Sequence, residues 1–150
     1  RPSPSGGREP PVSFSTKINF ARNIMSTHIN DLRSSGALVV GLNPADLAAS
    51  TNGLTVDLGA IDGDGPCFAV QMVGGLDDEG TLNGVVQQSA DGSSWSAISG
   101  AAFEEVDAAN NLQAIRFTRS QRYVRWVGTI AGTSPVFFTA VLFGAQKKTF

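Results

Sequence analysis

Between Gly36 and Phe143 the chain is cut into short apolar runs that recur about every ten residues, each closed by a cluster of Gly, Pro, Asn, Asp or Ser. Runs of this length are too short for the helices of a globular domain. Their spacing is that of an antiparallel β-sandwich or jelly roll, and an all-β fold is the expectation. At 150 residues the chain suffices for one such domain plus an appendage.

The most legible run is Val85 to Ile98, VVQQSADGSSWSAI. Val85–Ser89 has strand composition, Asp91-Gly92 is a hairpin signal, and Trp95-Ser96-Ala97-Ile98 alternates on the return. Gly92 takes φ > 0 without steric cost, while the Ser89 and Asp91 side chains can bond nearby backbone N–H groups.

The other elements follow in order. Ala37–Leu42 reads as a short strand, and Asn43-Pro44 starts one helical turn through Ala49, closed by Asn52-Gly53. Leu54, Val56 and Leu58 share one face of a half-buried strand. Asp62–Pro66 is a turn cluster, a partial likeness to a calcium loop that lacks the later ligands. Asp77–Gly80 reads as a solvated hairpin tip between strands Phe68–Val73 and Leu82–Gln88. Ala102–Val106 is expected as an edge strand blunted by Glu104 and Glu105. Leu112–Thr118 directs Ile115 and Phe117 inward, and Arg122–Ile130 directs Val124, Trp126 and Ile130 inward. Val136–Phe143 is apolar almost throughout, which suggests burial on both faces. Trp95 and Trp126 both have ready places in the core.

Residues 1–33 differ in kind. Residues 1–13, RPSPSGGREPPVS, hold four prolines and two glycines and cannot build a core alone, so an extended N-terminal arm precedes a β-sandwich domain over 34–150. Within the arm, Phe20, Ile24, His28 and Leu32 stand four apart, compatible with a short helix inside 20–32 or with an extended segment laid on a neighbour.

Charge is segregated along the chain. Residues 1–33 carry +3, residues 34–110 carry −11 with no basic residue, and residues 111–150 carry +6. Such blocks suit subunits that meet with opposite fields, or a fold that interleaves the blocks so that C-terminal arginines pair with acidic loops. The basic cluster Arg116, Arg119, Arg122 and Arg125 reads as a set of partners for carboxylates of another strand or subunit. Its aromatic neighbours are expected inward, which argues against a nucleic-acid stacking platform.

Residues for chemistry are sparse. One histidine, His28, one cysteine, Cys67, and the lack of a Gly-x-Ser-x-Gly elbow leave the usual nucleophile–base sets unassembled. No phosphate loop or dinucleotide fingerprint is present. Ser89–Trp95 is one residue short of the Asp-box turn of sialidase-like propellers and occurs once. The expectation is a protein that is not an enzyme, with no cofactor, no bound metal, no nucleic acid and no membrane partner.

Five motifs occur in a fixed order: Asn43-Pro44-Ala45, Gly53–Leu58 (GLTVDL), Ser89–Trp95, Gln121–Arg125 (QRYVR) and the apolar strand Val136–Phe143. In this respect the segment from about Leu42 to Gly144 resembles a family of small structural proteins of tailed bacteriophages. It departs from that pattern at Ala60-Ile61, where family members often carry Tyr-Asp, and in its long arm. The resemblance implies a head decoration or cement protein of β-sandwich fold. Such a protein is made in the cytoplasm of a bacterial host and resides on the capsid surface of the virion. Its partners would be the major capsid protein and sibling subunits in a homo-oligomer, a trimer before a dimer. The residues expected at those contacts are Arg1, Arg8, Pro10, Pro11, Phe14, Lys17, Phe20 and Arg22 of the arm, with Arg116, Arg119, Arg122 and Arg125 of the body. A tail- or fibre-associated module binding a host receptor or carbohydrate is the alternative.

Overall fold

Alternation along each run decides which side chains meet in the interior, and nine strands result among the described residues. The computed structural model of the chain describes residues 36–60 and 62–147. The strands are β1 (Gly36–Leu47), β2 (Thr51–Asn52), β3 (Val56–Asp57), β4 (Asp62–Asp77), β5 (Gly80–Ser89), β6 (Ser96–Ala102), β7 (Asn111–Phe117), β8 (Tyr123–Gly132) and β9 (Val136–Lys147), with one 3-10 turn at Leu58–Ala60. The expected arm and its short helix, together with Arg1, Arg8, Pro10, Pro11, Phe14, Lys17, Phe20 and Arg22, lie outside the described residues.

Two antiparallel sheets face each other. One has the order β1-β9-β4-β7. In the other, β8 pairs with both β2 and β3 on one side and with β5 on the other, and β6 flanks β5. Counting β2 and β3 as one interrupted strand, this is the two-sheet order of a jelly roll. The sequence expectation of an antiparallel β-sandwich therefore holds.

The core lies between the sheets. Phe137, Val141 and Phe143 of β9 and Ala69 and Val73 of β4 point in from one side; Leu82, Val86, Val124 and Trp126 meet them from the other. Phe117 and Phe143 pack edge to face, with ring centroids 6.2 Å apart at 79°, a favoured aromatic geometry. Cys67 is buried in the same layer. Burying each large apolar side chain contributes roughly 1.5–3 kcal/mol, which the ordering of the chain largely offsets.

Several local expectations change. Asn43–Leu47 is not the start of a helical turn but the end of β1, irregular between Val40 and Ala45. Pro44 sits at that bulge on an edge strand, where its missing N–H breaks no ladder bond. Of Leu54–Leu58 only Val56–Asp57 pairs with β8; Leu54 is exposed and Leu58 opens the 3-10 turn. The Asp62–Pro66 segment belongs to β4, at an irregularity in its pairing with β9. Asp77–Gly80 is a corner, not a hairpin tip, because β4 and β5 belong to different sheets. Asp78 takes φ 66° there. The expected edge strand Ala102–Val106 reduces to the last residue of β6 and a single bridge between Val106 and Leu82.

The strand β9 also differs. Phe137, Thr139, Val141 and Phe143 are buried, but Phe138 is 47% exposed and Leu142 half-buried. It is buried on one face only.

Candidate interface

Each of the four arginines of the body has a distinct setting. Arg122, just before β8, forms a bidentate pair with Asp57 of β3: its Nε donates to Oδ1 at 2.9 Å and its Nη2 to Oδ2 at 2.7 Å. The guanidinium holds the Asp57 carboxyl below its ordinary range, and the carboxylate raises the arginine in turn. This pair joins the acidic middle of the chain to its basic end, so at this point the fold interleaves the blocks. Arg125 lies on the outer face of β8, where its Nε and Nη2 both donate to Gln87 Oε1 at 2.9 and 2.8 Å. Its guanidinium stacks over the Trp95 ring, 4.4 Å from the centroid. Trp95 is thus a half-buried surface residue, not part of the core as expected. Arg119 is buried and donates from Nη1 to the Gln121 carbonyl at 2.8 Å. Arg116 stands exposed on β7 and forms no ion pair with any described residue. The four do not gather into one patch.

The hairpin between β5 and β6 carries the most ordered polar cluster. Asp91 Oδ1 accepts from the N–H groups of Ser93 and Ser94 at 2.8 and 2.9 Å and from the Ser89 hydroxyl at 2.9 Å. Ser89 Oγ accepts from the N–H of Gly92 at 2.9 Å. These donors lower the Asp91 pKa to about 2. Asp91 Oδ1 and Ser89 Oγ are both used in closing the turn, and Gly92 takes φ 77° as its chemistry requires. The cluster is architecture.

Between the β4–β5 and β8–β9 corners lies an open cleft lined by Asp78–Thr81 and Ala131–Ser134. Among the described residues, no three His, Cys, Asp or Glu side chains gather where they could share a metal ion.

A more distinctive surface is the outer face of the β1-β9-β4-β7 sheet. Register places its side chains in rows across the strands. Leu38, Gly144, Phe68 and Arg116 form the first row, and Val40, Leu142, Val70 and Ala114 the second. Ala140, Met72 and Leu112 follow, then Asp46, Phe138 and Gly75. Leu38 is 67% exposed, Leu112 69% and Phe138 47%, with Phe68 and Met72 exposed between them. An apolar area that spans four strands is a candidate contact surface. Beside Arg116, a shallow apolar hollow is lined by Pro66, Phe68 and Ala114.

Sequence reading did not single out this face. The signal was present in β4, where Phe68, Val70 and Met72 alternate with Cys67, Ala69, Gln71 and Val73, so that the phase carrying Gln71 is the less apolar of the two and the wholly apolar one faces out. No family model matches the chain, and no curated protein matches it either.

Proposed function

We propose that this chain is a structural protein of a tailed-bacteriophage virion that binds the outside of the capsid and stabilises it, through its β-sandwich body and N-terminal arm. The observation that carries this reading is the apolar outer face of the β1-β9-β4-β7 sheet, a surface of the kind that proteins bury in assembly, against sibling subunits as well as against a capsid. The ordered five-motif resemblance to phage structural proteins supports the virion as the setting. The polar groups with the most developed geometry, Asp91 and the Arg122–Asp57 pair, are engaged in holding loops and strands. A protein of this kind acts by adding buried interface at joints between capsid subunits, and a Pro/Gly-rich arm extends that interface.

The test is a count of copies on purified particles: many copies spread over the head are expected, and a few confined to the tail would reject the reading. Removing residues 1–24 is expected to weaken attachment to heads while the sandwich stays folded. A second reading, a tail- or fibre-associated carbohydrate-binding module, is favoured by one observation, the half-exposed Trp95 beside Arg125 and Gln87. Selective binding on a glycan array, abolished by Trp95→Ala, would put that reading first.

A further inference from the structure

We propose that the outer face of the β1-β9-β4-β7 sheet is covered by the same face of a second copy of this chain, the two related by a two-fold axis that lies between them and runs across the strands. The inference rests on the virion reading only for where the pair works; pairing itself belongs to the free chain.

The shape of the face selects its occupant. Phe68 lies with its ring against Gly144 of the neighbouring strand, where a Cβ would collide with it, and the Phe138 ring lies beside Gly74. With its two aromatic side chains lying down, the face is level apart from the shallow hollow beside Arg116. A flat sheet face suits another sheet stacked about 10 Å away; a helix or an extended peptide is better held by a groove or a free strand edge.

Charge then selects among sheets. The second and third rows carry no charged side chain. Arg116 stands at one end of the face, and at the other end stand Asp46, paired with Phe138, and Asp77, paired with Val136. None of the three forms an ion pair with a described residue. A two-fold axis across the strands reverses each strand end for end over its own copy, so Arg116 of β7 comes to the end where Asp77 stands on the adjacent β4 of the other copy, with Asp46 at the same end on the far edge strand β1. Any other partner would need this polarity built into it, whereas a second copy has it by construction.

The size of the face sets the strength. Four strands about 4.8 Å apart and seven residues of about 3.3 Å each give roughly 400 Å² in projection, so a pair buries on the order of 1,000 Å² of accessible surface. That is the lower end of specific interfaces, and it implies a pair that forms and dissociates with concentration.

The experiment is sedimentation of the full chain across a wide concentration range, with variants confined to exposed positions so that folding is preserved. The native chain is expected to move from one to two copies as concentration rises. Leu112→Lys and Met72→Lys, which place an unpaired charge in the contact, are expected to weaken association by roughly tenfold or more. Arg116→Glu in one chain and Asp46→Lys with Asp77→Lys in another should each impair self-association, and an equimolar mixture of the two should restore pairing. A chain that stays single at every concentration, association indifferent to these substitutions, or a mixture no better than its components would each overturn the proposal. In parallel, the native chain is added to undecorated heads. Pairing without head binding would reject the virion reading and leave this inference standing; head binding without pairing would do the reverse.

Discussion

Trp126, on β8 of one sheet, donates its indole N–H across the core to Oε1 of Gln71, on β4 of the other, at 2.9 Å. Both residues are fully buried, and this bond joins the sheets through side chains where most of the contact is apolar. The Gln71 Nε2 has no partner among the described residues, so the amide is held by one bond. A buried polar group left without its partner costs about 1–3 kcal/mol. Trp126→Phe and Gln71→Leu each strand one member of the pair, and the double variant strands neither. The double variant is therefore expected to lose less stability than the sum of the singles, by about 1 kcal/mol or more, in urea denaturation.

Gly84 of β5 permits that bond. A Cβ at this position would run into Gln71 Oε1 and Trp126 Nε1. Gly84→Ala must displace the amide, the indole or the strand, none of which has free space. The expected loss is about 1–3 kcal/mol, as for other overpacked cores. The indole N–H resonance of Trp126 should move with it, while the hairpin resonances of Ser93 and Ser94 stay in place.

Which parts of this fold could be read from the sequence follows from the range of the forces involved. The β5–β6 hairpin was legible because its determinants, Ser89, Asp91 and Gly92, act within four residues of one another. Strand neighbours were not, since β1 pairs with β9 across the length of the domain, from Gly36 to Gln146. Periodicity assigns a side chain to a face; it does not say which strand lies beside it. Asp77–Gly80 has the composition of a hairpin tip, and only the sheet joined by β5 makes it a corner. In β4, Gln71 points inward between Ala69 and Val73 while Phe68 and Met72 point out. Polarity alone suggests the opposite phase there, and the partner that decides it, Trp126, lies far along the chain.

The hairpin also sets a pH response. The carboxyl of Asp91 titrates near 2 in the folded chain, against an ordinary 3.8. A group whose folded pKa is lowered contributes stability that is complete above its unfolded value and is lost as pH falls through the folded one. Amide protection at Ser93 and Ser94 is therefore expected to be full above about pH 4 and to decline toward about pH 2. A titration of the side-chain carboxyl by NMR checks the midpoint. Asp91→Asn keeps an acceptor in the turn but has no proton to gain, so its hairpin protection should be lower and flat across the same window.

The candidate interface was legible only in part. The arginines stood out by spacing and by charge, yet Arg122 is occupied by Asp57, Arg119 is buried and Arg125 is engaged with Gln87 and Trp95. Arg116 alone of the four has neither an ion pair, a side-chain hydrogen bond nor a ring stack with a described residue, and it stands exposed at the border of the apolar face. A cluster in sequence becomes a cluster in space only when the strand phase and the connecting loop allow it. Here β7 and β8 lie in different sheets, and the arginines separate with them.

The stacking of Arg125 on Trp95 gives the last expectation. A guanidinium over an indole face at a partly exposed site contributes about 0.5–1 kcal/mol, and the planar fork also makes two bonds to Gln87 that an ammonium cannot reproduce in the same geometry. Arg125→Lys should therefore cost nearly as much as Arg125→Ala, although charge is kept. The chain has two tryptophans, of which Trp126 is fully buried and shielded, so acrylamide quenching of the native protein reports mainly Trp95. Removing the guanidinium uncovers the ring face beneath it, and the quenchable fraction should rise in both variants. Unchanged quenching would mean that the stack contributes no cover in solution. If quenching rises and sugars then bind Trp95, the outer face of the β8–β5 pair would be a recognition surface held closed by Arg125.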